Sequence, residues 1–76
     1  MPRYYLHIHD GHDLDLDPDG TDFRDLQAAQ AEAERVVREL WLDWSEARPD
    51  MAIEIVDATG RTVRRVPFSD VIGLMQ

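Results

Sequence analysis

The chain has 76 residues, a formal net charge of −8 and no cysteine. A chain of this length forms one domain, residues 1–76, around a small core, and its acidity argues against binding to the phosphate backbone of nucleic acids. The lack of cysteine excludes disulfides and thiolate metal sites and favours a cytoplasmic protein. No apolar run approaches the roughly 18 residues of a membrane span, so we expect a soluble protein that does not insert into membranes.

Two alternating segments open the chain. Residues 3–9, RYYLHIH, alternate between two faces and predict a half-buried strand, and residues 13–17, DLDLD, predict a second. Leu14 can lie beside Ile8 on one face of the sheet only if the two strands pair in a register that sets their apolar residues opposite one another. A three-residue hairpin loop at residues 10–12 satisfies that condition and is the predicted connection.

The same register gives the first candidate site. It sets His9 opposite Asp13 and His7 opposite Asp15 on the outer face of the hairpin. Two imidazoles that point the same way, joined by a neighbouring carboxylate, are typical of zinc and related sites. The alternative is two exposed His–Asp pairs on a solvated strand face.

Residues 13–22, DLDLDPDGTD, resemble the first half of a calcium-binding loop. Oxygen-bearing side chains recur at every second position, and a glycine follows where such loops turn. The glutamate that closes these loops is missing, since Leu26 stands in its place. Residues 17–20, DPDG, also fit a type I turn, so the alternative is a strand followed by a turn. The candidate calcium ligands are Asp15, Asp17, Asp19 and Thr21.

A long amphipathic helix is predicted over residues 26–47. Asp25 is a suitable N-cap, and Pro49 disfavours helical structure at the residue before it. At about 100° per residue, one stripe collects most of the apolar side chains and predicts the buried face. This stripe contains Leu26, Ala29, Ala33, Val36, Val37, Leu40, Trp41 and Trp44.

Leu42 lies outside that stripe, near the end of the helix. A small core often needs a partner subunit, and an apolar surface beside an open sheet face marks an interaction site. We therefore expect a homodimer or another protein partner. The alternative is that the tryptophans only pack in the core and that Leu42 is a single exposed leucine. The candidate interface residues are Tyr5, Trp41, Leu42 and Trp44.

A second hairpin is predicted from residues 51–57 and 61–67. The loop between them, ATG, has three residues, with Gly60 in the left-handed conformation. The expected register places Val63 near Ile55, with a bulge or fraying at Arg65, where the alternation breaks. The element order is ββαββ, which predicts an α+β fold with one antiparallel four-stranded sheet covered on one face by a single long helix.

The chain resembles a known family along essentially its whole length. The blocks that carry the resemblance are MPRYYLHIHDG, an acidic segment ending in Gly20, DLQAAQAEA, and IVDATGRTVRRVPFSD. They are similar to short alphaproteobacterial (rhizobial) proteins of unknown function that open M-P-R-Y-[FY]-[FY]-H. The resemblance implies a bacterial single-domain protein, and it implies no activity or catalytic residue. All 8 basic residues are arginine, which is typical of a GC-rich genome.

Catalysis has little support in the sequence. There is no cysteine nucleophile, glycine-rich phosphate loop or Gly-x-Ser-x-Gly motif, and neither Ser45 nor Ser69 has an evident base nearby in the sequence. We predict a non-enzymatic protein-interaction or regulatory domain, homodimeric and without a cofactor. The alternative function is metal binding, with zinc or calcium held by the His/Asp face or by the aspartate-rich loop.

Overall fold

A computed structural model describes residues 1–43 and 47–73. Within these ranges five strands and two helices follow one another, and the predicted α+β class is confirmed. The second predicted strand is shortened to residues 14–15, an additional short strand forms at residues 21–22, and a short helix follows the last strand. The elements are β1 (Arg3–His9), β2 (Leu14–Asp15), β3 (Thr21–Asp22), α1 (Leu26–Asp43), β4 (Ala52–Asp57), β5 (Thr62–Pro67) and α2 (Phe68–Gly73).

All strand pairs are antiparallel, and the sheet has the order β2-β1-β4-β5. β3 also pairs with β1, so two short strands share the outer edge of β1: β2 at its C-terminal end and β3 at its N-terminal end. The aspartate-rich strand predicted at residues 13–17 is therefore shortened to β2, and the chain leaves the edge of β1 before it returns as β3, which was not predicted.

The core lies between α1 and one face of the sheet. Ala29, Ala33 and Val37 on α1 are fully buried, as the apolar stripe predicted, and they meet the buried Ile53 and Ile55 of β4. Small alanine side chains let the helix backbone approach the sheet closely. The predicted N-cap is also confirmed, since the Ala28 N–H donates to Asp25 Oδ1 at 2.8 Å. Within the described ranges, neither helix is long and apolar enough to cross a membrane.

The β4–β5 hairpin has the predicted three-residue loop, but its predicted register was wrong. Gly60 has a φ of 88°, and the Asp57 N–H donates to the Arg61 carbonyl at 2.9 Å across the loop. Arg64, rather than Val63, is opposite Ile55, and the register shifts between Ile55 and Val56. Val63 is the extra residue of a bulge and packs against the core. Burial of Val63 accounts for a bulge two residues earlier than expected.

The outer side of β5 is the second edge of the sheet, and no other described strand pairs with it. The Phe68 N–H donates to the Met51 carbonyl at 2.8 Å, so alternation along the ladder turns the backbone groups of Arg65 and Pro67 outward. Proline has no N–H to offer. Between the bulge at Val63 and the start of α2, the outer side of β5 therefore presents one main-chain donor, at Arg65.

Candidate interaction surface

The face of the sheet turned away from α1, called the open face from here on, consists of alternate residues of three strands. Directly opposed residues of antiparallel strands share a face, so the register fixes its members. They are Arg3, Tyr5, His7 and His9 on β1, Ala52, Glu54 and Val56 on β4, and Thr62, Arg65 and Pro67 on β5, with Leu14 and Asp22 of the short strands at the border. The two helices pack against each other and against the opposite face, which leaves this face without a second layer in the described part of the chain.

The open face combines half-buried rings with small buried side chains. Tyr5, His7 and His9 are each half-buried, and the Tyr5 and His7 rings lie 6.3 Å apart between centroids. Ala52 is fully buried, because His9 and Pro67 stand on either side of it in the register. The strands of this face therefore form a shallow surface of rings, with no deep cavity.

The charges of the open face balance. Glu54 on β4 is directly opposite Arg65 on β5, and Arg3 on β1 is opposite Asp22 on β3, so the charges at these strand positions cancel when histidine is neutral. The chain as a whole carries a net charge of −8. The strands of the open face are thus balanced in charge on a strongly acidic protein, and Asp17 of the adjoining loop adds a carboxylate beside them.

The predicted register of the first hairpin was wrong, and this removes both predicted His–Asp pairs. The structure pairs His9 with Leu14 and Ile8 with Asp15, one residue away from the expected register. The loop has four residues, closed by a bond of 3.1 Å from the Asp10 N–H to the Asp13 carbonyl. Leu14 consequently lies beside His9 on the open face and is 42% exposed.

The Asp10 side chain explains why the loop is longer. Its Oδ1 accepts the N–H groups of His12 at 2.9 Å and of Asp13 at 2.6 Å. These backbone donors lower the pKa of the Asp10 carboxyl, since they favour its charged form. The Gly11 N–H donates to His9 Nδ1 at 3.2 Å. Backbone capping by a carboxylate and an imidazole, rather than burial of Leu14, sets the loop length.

The four predicted zinc ligands are therefore not brought together. His7 and His9 lie on the open face, Asp13 lies in the hairpin loop, and Asp15 is turned toward the α1 side beside Ile8. In residues 1–43 and 47–73, no three histidine, aspartate or glutamate side chains are arranged so that they could hold a metal ion. The register on which the zinc prediction rested is absent, and metal binding by these residues remains a prediction.

The aspartate-rich loop folds as the turn that DPDG predicted, with Asp17 bound to main-chain donors. Asp17 Oδ1 accepts the N–H groups of Asp19 at 3.3 Å and of Gly20 at 3.1 Å. Asp17 Oδ2 accepts the Leu6 N–H at 3.3 Å. Asp15 and Thr21 lie in two different strands on either side of this turn. Both oxygens of the central candidate ligand are thus already used by the backbone, and calcium binding by this loop remains a prediction.

Asp17 also fills a gap in the sheet. Between the β2 and β3 pairings, the five residues 16–20 lie opposite three residues of β1, namely 5–7. The Asp17 carboxylate takes the place of a strand carbonyl as acceptor for Leu6, and the Asp17 N–H donates to His7 Nδ1 at 3.0 Å. The 16–20 loop thereby reaches onto the open face.

Gly20 anchors the far end of this loop. Its φ is +70°, and a Cβ added there would lie 2.8 Å from Cε2 of Tyr5. Glycine is therefore required both by the backbone conformation and by the close approach of the Tyr5 ring. Tyr5, a predicted interface residue, is half-buried because the loop passes across its ring.

The other predicted interface residues are at the end of α1. Trp41 is half-buried, and Leu42 is 74% exposed. Trp44 lies outside the described residues. The helix end thus presents one exposed leucine, while Leu14 and Leu16 form a second exposed apolar site at the β2 edge; Leu16 is 65% exposed.

A groove of about 530 Å³ runs between α1 and β5. In it the Arg64 guanidinium donates to Gln30 Oε1, and Gln30 Nε2 donates to Glu34 Oε2 at 3.3 Å. The polar groups of the groove thus bind one another, and its lining contains no serine, cysteine or histidine that could act as a nucleophile or base. The lining residues are Leu26, Gln27, Gln30, Ala31, Glu34 and Arg64.

The sequence predicted the Asp25 cap, offered Asp17 both as a ligand and as part of a turn, and gave no indication of the capping roles of Asp10 and Asp57. Asp10, Asp17, Asp25 and Asp57 each accept a backbone N–H two to four residues ahead. The Asp-x-x-Gly spacing, present at residues 17–20 and 57–60, was the available clue, because such a spacing is typical of capped turns.

Comparison with known proteins adds one finding. A family model described as a domain of unknown function, DUF6894, matches residues 3–69. The chain belongs to the DUF6894 family. The DUF6894 match includes all five strands, α1 and every residue of the open face. No curated protein and no solved structure matches the chain.

Proposed function

We propose that this DUF6894 chain is a non-enzymatic interaction domain that associates with a second copy of itself through the open face. The observation that carries the proposal is the surface of half-buried rings around Ala52, which lies on the uncovered side of the sheet and is bordered by the exposed Leu14. Association of two identical chains is isologous, so a face that carries both Glu54 and Arg65 can supply opposite charges to its own copy. The second copy would give the sheet the layer that its open side lacks.

The size of the core supports a partner. Nine buried residues form the cluster between the helices and the sheet, and domains of this size are often only marginally stable alone. Burying Tyr5, Leu14 and the two histidine rings against a second copy would add apolar burial without rearranging the fold.

We further propose a cytoplasmic location in a bacterial cell. The absence of cysteine and the exclusive use of arginine for the 8 basic residues support this proposal. A non-enzymatic role is supported by the polar groove along α1, whose side chains bind one another. Metal binding, the alternative predicted from the sequence, is not proposed as a second function because the observed register separates its ligands.

Light scattering during size exclusion tests the dimer. Substitution of one exposed leucine at the open face is the test variant, and substitution of another on α1 is its control. We expect wild type at tens of micromolar to elute with the mass of two chains. Leu14→Asp should weaken the dimer at least tenfold, because it places a charge at the border of the open face. Leu42→Asp changes a more exposed leucine on α1 and should leave the dimer intact.

Two outcomes would contradict the proposal. A wild-type mass of one chain at these concentrations would exclude the dimer. A dimer lost in Leu42→Asp but kept in Leu14→Asp would move the interface from the sheet to the end of α1. Circular dichroism of both variants checks that the fold is unchanged.

A further inference from the structure

The groove between α1 and β5 has the size and composition of a small-molecule site. Its volume is about 530 Å³, and such sites typically occupy about 300–1,000 Å³, with apolar surface beside a few polar groups. Leu26 and Ala31 supply the apolar surface. Gln30 and Glu34 lie half-buried one turn apart on α1, and Arg64 of β5 stands across the groove from them.

The β-bulge at Val63 turns Arg64 toward this groove. Arg64 is opposite Ile55, whose side chain belongs to the core, so Arg64 lies on the α1 side of the sheet. Val63, the extra residue, also packs against the core. Two successive residues of β5 therefore point to the same side, which regular alternation does not allow. Bulges that redirect a side chain in this way are over-represented next to active sites.

The Arg64 guanidinium has an amide as its partner, rather than a carboxylate. It donates to Gln30 Oε1, and within residues 1–43 and 47–73 it forms no ion pair. The arginines that do form ion pairs in these ranges are Arg3, Arg24, Arg35 and Arg48. The groove therefore holds a positive charge that no described carboxylate neutralises, although the chain has a net charge of −8.

The Gln30 amide also links this guanidinium to a carboxylate. Its Oε1 accepts from Arg64, and its Nε2 donates to Glu34 Oε2 at 3.3 Å. The amide thus lies between a positive and a negative group, with its acceptor toward the first and its donor toward the second. Hydrogen bonds strengthen when their partners are ionised, so a ligand with a charged acceptor and a charged donor at this spacing would bind these two groups more strongly.

We propose that the groove binds a free α-amino acid in place of the Gln30 amide. The carboxylate of the amino acid accepts from Arg64, its ammonium donates to Glu34, and its side chain lies along Leu26. A free amino acid carries both charges on one carbon, so its acceptor and donor are separated by one bond more than those of an amide. A peptide carries its terminal charges at opposite ends and does not match this spacing. The site lies on the α1 side of the sheet and is independent of the proposed dimer.

Titration followed by nuclear magnetic resonance tests the site in the whole wild-type chain. L-Alanine should shift the amide signals of residues 27–34 and 63–65 to saturation, with a Kd of about 1 mM for two charge-assisted hydrogen bonds in an open groove. Propionate lacks only the ammonium, and ethylamine lacks only the carboxylate. Each should bind at least tenfold more weakly, because it leaves one charged group without its partner. Inorganic phosphate should also bind weakly, since it offers no cation to Glu34.

Three variants separate the two charges from the competing amide. Arg64→Gln and Glu34→Gln each remove one charged partner and should weaken L-alanine binding at least tenfold. Gln30→Ala removes a competitor that is tethered beside the site at high effective concentration, so binding should tighten about three- to tenfold. Arg61→Gln, which changes an exposed arginine just before β5, is the control and should leave the Kd unchanged. Circular dichroism checks the fold of each variant.

Three results would overturn the proposal. Saturable shifts could be absent from both wild type and Gln30→Ala, which would exclude the site. Propionate or phosphate could bind as tightly as L-alanine, which would leave a simple anion site. Binding could also weaken in Gln30→Ala, so that the amide would not occupy the place of the ligand. None of these results depends on the mass measured by light scattering, so failure of the amino-acid site and failure of the dimer are distinguishable.

Discussion

The pattern Asp-x-x-Gly occurs three times, at residues 17–20, 57–60 and, within α2, 70–73, and the two copies that form loops are used differently. In each, the aspartate Oδ1 accepts nearby backbone N–H groups, and the glycine has a positive φ, 70° in Gly20 and 88° in Gly60. The second copy is a self-contained hairpin loop between β4 and β5. The first also contacts a strand more than ten residues away in sequence, through Leu6 and Tyr5.

A local capping pattern therefore does not show which tertiary contacts the capped turn will make. Asp57 uses one oxygen, and its contacts are with its own loop. Asp17 uses both oxygens, and the second supplies an acceptor that the sheet lacks. The same four-residue pattern is thus a turn in one place and a turn joined to a tertiary contact in the other.

The largest expected difference between the two copies concerns their glycines. Gly20→Ala should lower the free energy of unfolding by about 2–4 kcal/mol, because it adds overpacking against Tyr5 to the cost of a left-handed alanine. Gly60→Ala should cost only about 1–2 kcal/mol, since nothing lies within 4 Å of the added Cβ. Urea denaturation of both variants measures the two values. Equal losses would mean that the Tyr5 ring moves aside freely.

Substituting asparagine for Asp17 and for Asp57 distinguishes a carboxylate that uses both oxygens from one that uses a single oxygen. Asp17→Asn keeps one oxygen and turns an NH2 group toward the Leu6 N–H, so it should lose about 1–3 kcal/mol of stability. Asp57→Asn keeps the single oxygen that accepts all its bonds and loses only the contribution of the charge, so near pH 6 its urea midpoint should fall by less than that of Asp17→Asn. A large loss in the second variant would show that charge, rather than acceptor geometry, holds that loop.

The smallest effect is a dependence on acidic pH. Hydrogen bonds from the Thr59 side chain and from the backbone of Arg61 and Thr59 lower the pKa of the Asp57 carboxyl below its ordinary value. A carboxyl whose pKa is lower in the folded state stabilises the fold above its unfolded pKa of about 3.9, and loses this contribution as pH falls through the folded value.

Urea midpoints of wild type and Asp57→Asn from pH 6 down to pH 2.5 measure this contribution. The wild type should lose more stability than the variant over that interval, and the two should converge at the acid end. Parallel curves would mean that ionisation of Asp57 does not contribute. Asp10, whose pKa is also lowered, remains in both proteins and cancels in the difference.

The sequence predicted the elements better than their registers. The α+β class, the Asp25 cap, the turn at residues 17–20 and the loop before Arg61 all follow from local patterns, and the structure confirms them. The first register failed because parity matching assumed that Leu14 belongs to the core. The buried residues of α1 lie over β1, β4 and β5, so Leu14 gains no burial that could fix the register.

The open sheet face and Tyr5 were predicted from the sequence, but the contact of Asp17 with β1 was missed for a related reason. The aspartates of residues 13–22 were assigned by spacing to an ion, and spacing does not show which main-chain donors will lie nearby. The Asp17 carboxylate is used by the Leu6 N–H, and this partner is brought close only by the five-against-three mismatch of the edge. A mismatch of this kind arises from the whole sheet, and no local pattern encodes it.

The outer side of β5 offers few main-chain groups with which a strand of another chain could pair. An incoming strand needs a row of main-chain donors and acceptors, and between the Val63 bulge and α2 this edge presents one donor, at Arg65, beside a proline. The opposite edge is occupied by β2, β3 and the Asp17 carboxylate. The described margins thus offer few main-chain groups to a further strand, which disfavours lengthening of the sheet. In the proposed dimer, contact between open faces would instead end once two surfaces have met, and such an assembly would be finite.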